Sequence, residues 1–158
     1  MVKARSIMTE NVITTKEDAT IAEAASLMMR KHVKSLIVTK DSKPIAIVTQ
    51  KDLIKGSLNK NPSKVKIKSV MNKNFLAVNP DTNYSLILKK LKEEGITRFP
   101  VVEHNRLVGL VTETDVIQAT RDFTRFHQIV QEIILAVFGL ATAFFLFYFS
   151  PLGTALFG

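Results

Sequence analysis

The sequence predicts an α/β (α+β) protein in which two βαββα repeats pack as a pseudo-two-fold pair, followed by a single C-terminal transmembrane helix. The repeat is visible directly, because GLVTETDVI at 109–117 has the pattern of AIVTQKDLI at 46–54, 63 positions earlier. About 50 residues of this pattern bury their own sheet face poorly, so we expect the two copies to share one core.

The elements within each copy follow from hydrophobic spacing. Two sets of apolar residues, aligned by the 63-residue shift, lie at i, i+3, i+4 and i+7, which places each set on one face of a helix. These sets are Ile21, Ala24, Ala25 and Met28, and Tyr84, Ile87, Leu88 and Leu91. The apolar runs 35–39 and 44–49 are separated by a polar turn, as are 98–102 and 107–112, and each pair predicts two strands. A further helix is predicted from Gln50 and from Glu113.

The C-terminal region has the composition of a membrane span. No charged residue follows Glu132, and IILAVFGLATAFFLFYF at 133–149 has only the hydroxyls of Thr142 and Tyr148 as polar groups. Extended back to Ile129, the segment reaches about 20 residues, the length that crosses a bilayer. A buried soluble helix is the alternative, but such helices are usually shorter. Arg121 and Arg125 precede the span, so the positive-inside rule places the N-terminal repeats in the cytoplasm of a single-pass protein.

These patterns give a set of expected segments: repeat 1 at 3–57, a linker at 58–67, repeat 2 at 68–120, a juxtamembrane helix at 121–128, a transmembrane helix at 129–150 and a C-terminal tail at 151–158. Pro151 and Gly153 are expected to end the helix, and aromatic residues 144–149 suit the far interface. Small residues at 136, 139 and 143 would let two such helices approach closely, although small residues are common in spanning helices generally.

Composition argues against an enzyme. The chain has no cysteine, and His32, His104 and His127 are far apart, so no metal-ligand motif is present. We find no nucleophile–base pair and no convincing acid pair, and we expect no catalytic residue, no metal and no obligatory cofactor. The net charge of +8 includes a lysine-rich stretch without acids between Asp52 and Asp81. A solvated face or attraction to anionic lipid explains this stretch more simply than nucleic-acid binding.

The repeated Thr-x-x-Asp phrase has two interpretations. Thr49 with Asp52, and Thr112 with Asp115, each follow a strand and open a helix, which is close to a capping box. The same junction exposes backbone N–H groups that suit a phosphate. In that second interpretation the Thr hydroxyl donates to phosphate, and the Asp accepts from a ribose diol. The candidate residues around the junctions are Arg98 and Lys34 for phosphate, and Ile13, Thr14, Leu76 and Ala77 for enclosing a flat base.

The SIMT and SVMN starts, GITRFPVV at 95–102 and the phrases IVTQKDL and LVTETDV together resemble a tandem pair of CBS domains, the Bateman module, over residues 3–120. The resemblance implies adenosine-containing ligands (AMP, ADP or ATP) in clefts between the repeats. It also implies Thr112 and Asp115 at one site, and Thr49 and Asp52 at the other. Such pairs tend to form homodimers or higher homo-oligomers and to regulate an enzyme, channel or transporter.

Repeat 1 departs from the family pattern more than repeat 2. Repeat 2 has Gly95, Pro100 and Gly109 where the family often has Gly or Pro, whereas repeat 1 has His32, Ile37 and Ala46 at the matching positions. Because a missing glycine leaves less room for backbone to approach a ligand, we favour the site that carries Asp115, with Gly109 making room there.

The expected function is a membrane-anchored regulatory module that binds adenine nucleotides as regulatory ligands and modulates a membrane-protein partner, with membrane lipid around its helix. The alternative is a homo-oligomeric single-span channel or transporter subunit gated by the CBS disc, the flat dimer that the resemblance implies for such pairs. The span offers few polar residues for a pore, since only Gln131, Glu132 and Thr142 are candidates.

Overall fold

The computed structural model describes residues 2–58 and 61–148. The predicted tail at 151–158, the helix end expected at Pro151 and Gly153, and the last two positions of the predicted transmembrane helix, 149–150, lie outside the described residues. The chain divides into two compact units, Met1–Val116 and Ile117–Gly158. Its strands and helices are β1 (Thr14–Thr15), α1 (Ile21–Lys31), β2 (Ser35–Lys40), β3 (Lys43–Thr49), α2 (Gln50–Ser57), α3 (Tyr84–Glu94), β4 (Arg98–Glu103), β5 (Arg106–Thr112) and α4 (Glu113–Tyr148), with 3₁₀ turns at Ala4–Ser6 and Ile67–Ser69.

The two predicted strand pairs form antiparallel hairpins in one shared register. Ser35 lies opposite Thr49 in the β2–β3 hairpin, and Arg98 lies opposite Thr112 in the β4–β5 hairpin. Each hairpin has a bulge at the same place, after Val38 and after Val101. The first strand differs between the copies, because β1 pairs parallel to β2 over two residues, whereas its counterpart in repeat 2 is a single bridge to Val101. The sequence repeat therefore corresponds to a structural repeat, which confirms the predicted α+β pair.

Each repeat completes the other's sheet and core with its N-terminal segment. Thr9 bridges to Leu110 of β5, and Asn72 bridges to Ile47 of β3. Ala4 is fully buried in the core formed by Phe99, Val101 and Val111 of repeat 2. In the same way, Ile67 and Met71 are buried in the core of repeat 1. The buried residues form two separate clusters, one in each repeat, so the expectation of a single shared core is wrong. Each cluster instead includes residues from the other repeat's N-terminal segment, an exchange that the periodicity did not predict.

The predicted helix faces point inward. Ile21, Ala24 and Met28 of α1 are buried, and Ile87 of α3 is buried beside partly buried Tyr84, Leu88 and Leu91. Both helices end in a residue with left-handed backbone, His32 at φ 53° and Gly95 at φ 65°. Gly95 therefore supplies a helix C-cap, and a side chain added there would meet no atom within 4 Å.

The last helix, α4, runs for 36 residues and covers the predicted juxtamembrane segment and most of the predicted transmembrane segment. Within the described residues, one helix is long and apolar enough to cross a membrane, Glu113–Phe147, with a most apolar stretch of mean hydropathy 2.2 that is not buried within the protein. Its exposed side chains include Leu135, Phe138 and Leu140. The Thr142 hydroxyl donates to the carbonyls of Phe138 and Gly139 in its own helix.

Candidate functional site

Both Thr-x-x-Asp phrases form complete helix caps. The Asp52 Oδ2 atom accepts from the Thr49 backbone N–H at 2.8 Å and from the Thr49 hydroxyl at 2.6 Å. The Asp115 Oδ2 atom accepts from the Thr112 backbone N–H and hydroxyl, each at 2.7 Å. In return, the Asp52 and Asp115 backbone N–H groups donate to the Thr hydroxyls, at 3.3 and 3.5 Å. The capping interpretation is confirmed at both junctions.

The caps restrict what these side chains can offer a ligand. A hydroxyl has one proton, and Thr112 donates its proton to Asp115, so it cannot donate to a phosphate at the same time. A phosphate contact through Thr112 requires that proton to turn away from the carboxylate. Each described cap bond to the carboxylate uses Oδ2, which makes Oδ1 the oxygen that would accept from a ribose hydroxyl.

A cavity of about 610 Å³, which we call the larger cleft, lies at the end of β5. This volume is within the usual range of small-molecule sites. The larger cleft brings together the predicted residues Ile13, Lys34, Arg98 and Thr112. Its other lining residues are Thr9, Asn11, Val12, His32, Val33, Ser35, Thr97, Leu110, Glu113 and Thr114.

A second cavity of about 300 Å³, which we call the smaller cleft, lies at the end of β3. It brings together Thr49, Asp52 and Arg98 of the predicted set. Its other lining residues are Ile47, Asn72, Asn74, Phe75, Gly95, Ile96 and Thr97. The Phe75 ring could stack on a flat base, a role that the sequence assigned to Leu76 and Ala77.

Five predicted residues lie elsewhere. Asp115 and Thr14 do not line the larger cleft, although Asp115 is bonded to Thr112, which does. Leu76 and Ala77 line a separate groove of about 210 Å³ against α3. Gly109 lines neither cleft.

The role proposed for Gly109 is corrected by its surroundings. A Cβ atom at Gly109 would lie 2.5 Å from the Met8 sulfur and 3.0 Å from the Met8 Cγ. The missing side chain therefore makes room for the exchanged N-terminal segment and not for a ligand.

The residues that the sequence reasoning missed come mainly from the exchanged segments. Thr9, Asn11 and Val12 line the larger cleft, and the residues 63 positions later, Asn72, Asn74 and Phe75, line the smaller one. The repeat register was the available signal, because these residues occupy matching places in the SIMTENV and SVMNKNF segments. It did not suffice alone, since the crossing of each segment to the other hairpin is a tertiary feature.

The clefts differ in charge. Lys34 and Arg98 line the larger cleft together with the acid Glu113, whereas Arg98 and Asp52 are the charged residues on the smaller cleft. The Arg98 Nε atom donates to the Ser35 hydroxyl, and Nη1 donates to the Thr97 hydroxyl, both at 3.0 Å. These two bonds hold a guanidinium at the junction of the two repeats, where it suits an anionic ligand.

Two carboxyl groups away from the clefts have lowered pKa values. The Thr20 backbone N–H and hydroxyl donate to Glu23 in the capping box of α1, which lowers the pKa of Glu23. The Lys3 ammonium bonds to Asp81 and, with Arg5, lowers the pKa of Asp81. This second pair ties the exchanged N-terminal segment to the loop before α3.

Comparison with known proteins agrees with the geometry. The CBS domain family model matches residues 4–59 and 67–122. An uncharacterized protein of Methanocaldococcus jannaschii is 34% identical over 115 residues, which are 72% of this chain and 41% of that protein. A homoserine O-acetyltransferase of Methanohalobium evestigatum is 31% identical over 119 residues, which are 74% of this chain and 24% of that protein. The chain thus spans less than half the length of either relative.

Solved structures share the fold. The CBS domain pair of a protein in complex with 5-methylthioadenosine and S-adenosyl-L-methionine gives a TM-score of 0.69 at 24% identity, over 77% of this chain and 98% of that chain. A hexameric CBS-CP12 protein from bloom-forming cyanobacteria gives a TM-score of 0.65 at 29% identity, over 74% of this chain and 70% of that chain.

Proposed function

Because this chain belongs to the CBS domain family as a tandem pair, we propose that it is a membrane-anchored regulatory module. In this proposal the larger and smaller clefts bind adenosine-containing ligands of the AMP, ADP and ATP class. Ligand binding then changes how the module acts on a membrane or membrane-associated partner. CBS pairs are in general regulatory domains and not enzymes, and the aligned relatives include a longer enzyme of which this chain matches only a part.

The observation that carries the proposal is the composition of the larger cleft. It combines two cationic side chains, Lys34 and Arg98, with the apolar side chains of Val12, Ile13 and Leu110. A nucleotide has the same two parts, an anionic phosphate and a flat apolar base. The fold neighbour solved with two adenosine-containing ligands supports the same ligand class.

Within the larger cleft we assign the phosphate to Lys34 and Arg98 and the base to Val12 and Ile13. Thr112 lines the cleft and its hydroxyl is bonded to Asp115, so we assign the ribose to the part of the cleft at Thr112, beside the Asp115 carboxylate. In the smaller cleft Asp52 lines the cavity directly and takes the ribose, while Phe75 faces the base.

The membrane part of the proposal rests on α4. The apolar stretch of this helix from Ile129 to Tyr148 has about 20 residues, which at 1.5 Å each extend about 30 Å and match the thickness of a bilayer core. Arg121 and Arg125 precede the apolar stretch, so we place the repeats in the cytoplasm. The hexameric neighbour supports homo-oligomerisation, from the dimer upward.

Calorimetric titration of the full chain in mild detergent with AMP, ATP and S-adenosylmethionine tests ligand binding. We expect Lys34→Gln to weaken AMP binding about tenfold or more, since a charge-assisted hydrogen bond contributes about 1.5–3 kcal/mol. Lys73→Gln is the matched control, because it removes the same charge from an exposed residue that lines neither cleft. If none of the three ligands gives heat at protein concentrations well above micromolar, the Thr-x-x-Asp phrases are helix caps only.

A further inference from the structure

One arginine serves both clefts. Arg98 and its neighbour Thr97 line the larger cleft and the smaller cleft alike. The residue that matches Arg98 in repeat 1 is Ser35, which lines the larger cleft only and accepts the Arg98 Nε–H at 3.0 Å. The repeat symmetry is therefore broken at its centre, where a cation in one copy faces a hydroxyl in the other.

The two clefts depend on this cation to different degrees. The larger cleft has Lys34 as a second cationic side chain, whereas Arg98 is the one Lys or Arg among the described residues that line the smaller cleft. The smaller cleft also has the Asp52 carboxylate, which disfavours an anion in the absence of a counter-charge.

A single guanidinium cannot fully compensate two phosphates. Arg98 has five N–H donors, of which the bonds to Ser35 and Thr97 use two, so donors remain for a ligand in either cleft. Turning them toward one phosphate withdraws them from the other, and two anions near one cation also repel each other. An uncharged ligand would not compete for the Arg98 guanidinium in this way.

We propose that anionic ligands in the two clefts bind with negative coupling through Arg98, so that occupying the larger cleft weakens binding in the smaller cleft. This inference rests on the proposed nucleotide-binding function, and it adds that the smaller cleft fills only at higher ligand concentration. The two clefts of the module then become occupied over two different ranges of ligand concentration. By linkage, a ligand in the smaller cleft weakens the larger cleft by the same factor.

The experiment uses a fluorescent reporter in the smaller cleft. The chain has no tryptophan, so Phe75→Trp in the full-length protein gives a signal specific to that cleft. A second substitution, Val12→Tyr, places a ring in the part of the larger cleft that we assign to the base, without changing any charge. The half-saturation concentrations for AMP and for adenosine are then measured with and without Val12→Tyr. Both measurements are made in the protein that keeps Arg98 and in the Arg98→Gln protein.

We expect Val12→Tyr to lower the AMP half-saturation concentration of the reporter about tenfold, in the range of ordinary coupling between sites. It should leave that of adenosine unchanged, and its effect on AMP should become smaller with Arg98→Gln, because only the direct repulsion between the two phosphates then remains. Arg98→Lys keeps the charge and should keep part of the coupling, which separates loss of the cation from loss of folding.

The outcomes distinguish the two proposals. If Val12→Tyr leaves AMP binding to the smaller cleft unchanged, the coupling is wrong and nucleotide binding still stands. The same conclusion follows if Val12→Tyr changes adenosine binding as strongly as AMP binding, or changes AMP binding as strongly in the Arg98→Gln protein. Absence of any response to AMP and adenosine, with calorimetry also giving no heat, overturns both.

Discussion

Replacing Gly109 with alanine separates two explanations of this glycine. The added Cβ would lie 2.5, 3.0 and 3.3 Å from the Sδ, Cγ and Cβ atoms of Met8, so the contact is with the body of that side chain and not with its flexible end. Forcing an extra methyl into a packed site costs about 1–3 kcal/mol. Alanine regains about 0.5–1 kcal/mol over glycine in a strand, which leaves an expected net loss of about 0–2.5 kcal/mol.

The assay is urea denaturation of the full chain in detergent, followed by far-ultraviolet circular dichroism. Ala46→Gly is the matched control, since Ala46 is the buried residue 63 positions earlier, and it should cost about 1 kcal/mol through loss of a buried methyl. Combining Gly109→Ala with Met8→Ala should cost less than the sum of the single changes, because the two sites are in contact.

If Gly109 is needed for packing against Met8, Gly109→Ala should lower the free energy of unfolding and leave the AMP affinity of the folded protein almost unchanged. If Gly109→Ala instead leaves the free energy of unfolding unchanged and weakens AMP binding tenfold, the glycine makes room for ligand and the assignment to Met8 is refuted.

Three further predictions concern the other helix ends and the membrane. His32→Gly should raise the free energy of unfolding by about 0.5–1 kcal/mol and Gly95→His should lower it, because both residues have left-handed backbone, which costs an L-residue about 1–2 kcal/mol. Because folding lowers the pKa of Glu23, its carboxylate stabilises the fold at pH values above the pKa that Glu23 has in the unfolded chain. This contribution disappears as the pH falls through the lower pKa of Glu23 in the folded protein. Melting temperatures across that range should therefore depend less on pH in Glu23→Gln. Leu135→Lys should shift the protein out of the membrane fraction in flotation assays, whereas Gln118→Lys should not.

Each of these has a contradicting result. If His32→Gly and Gly95→His both have the same free energy of unfolding as the unsubstituted protein, the surroundings relieve the strain of the left-handed backbone at both C-caps. An unchanged pH profile in Glu23→Gln would assign the acid sensitivity to other carboxyl groups, with Asp81 the next to test. Full retention of Leu135→Lys in membranes would indicate anchoring that does not depend on α4.

The sequence predicted most of the fold because its patterns are local. The i, i+3, i+4, i+7 spacing around Ile21 and Ile87 located α1 and α3, and the short apolar runs separated by polar turns located both hairpins within a residue or two. The helix caps were also local, since Thr49 and Asp52 are three residues apart and bond within one turn.

The site was predicted only in part, for a physical reason that Gly109 and Phe75 illustrate. Spacing in the chain gave no distance between the N-terminal segments and the hairpins, so Phe75 was passed over in favour of Leu76 and Ala77, which line another groove. The glycine at 109 indicated a close approach, but the identity of the approaching group, Met8, depended on which hairpin the first segment joins.

The sequence by itself determined the repeat, the two strand pairs, the capped helix starts and the long apolar helix, because each follows from a pattern that is readable along the chain. Only the tertiary structure decided that the N-terminal segments exchange between repeats and that Arg98 faces both clefts. Those features depend on residues that are distant in the chain, such as Ile47 and Asn72 or Thr9 and Leu110. Such residues are brought together by burial of apolar surface, which has no directional signature in the sequence.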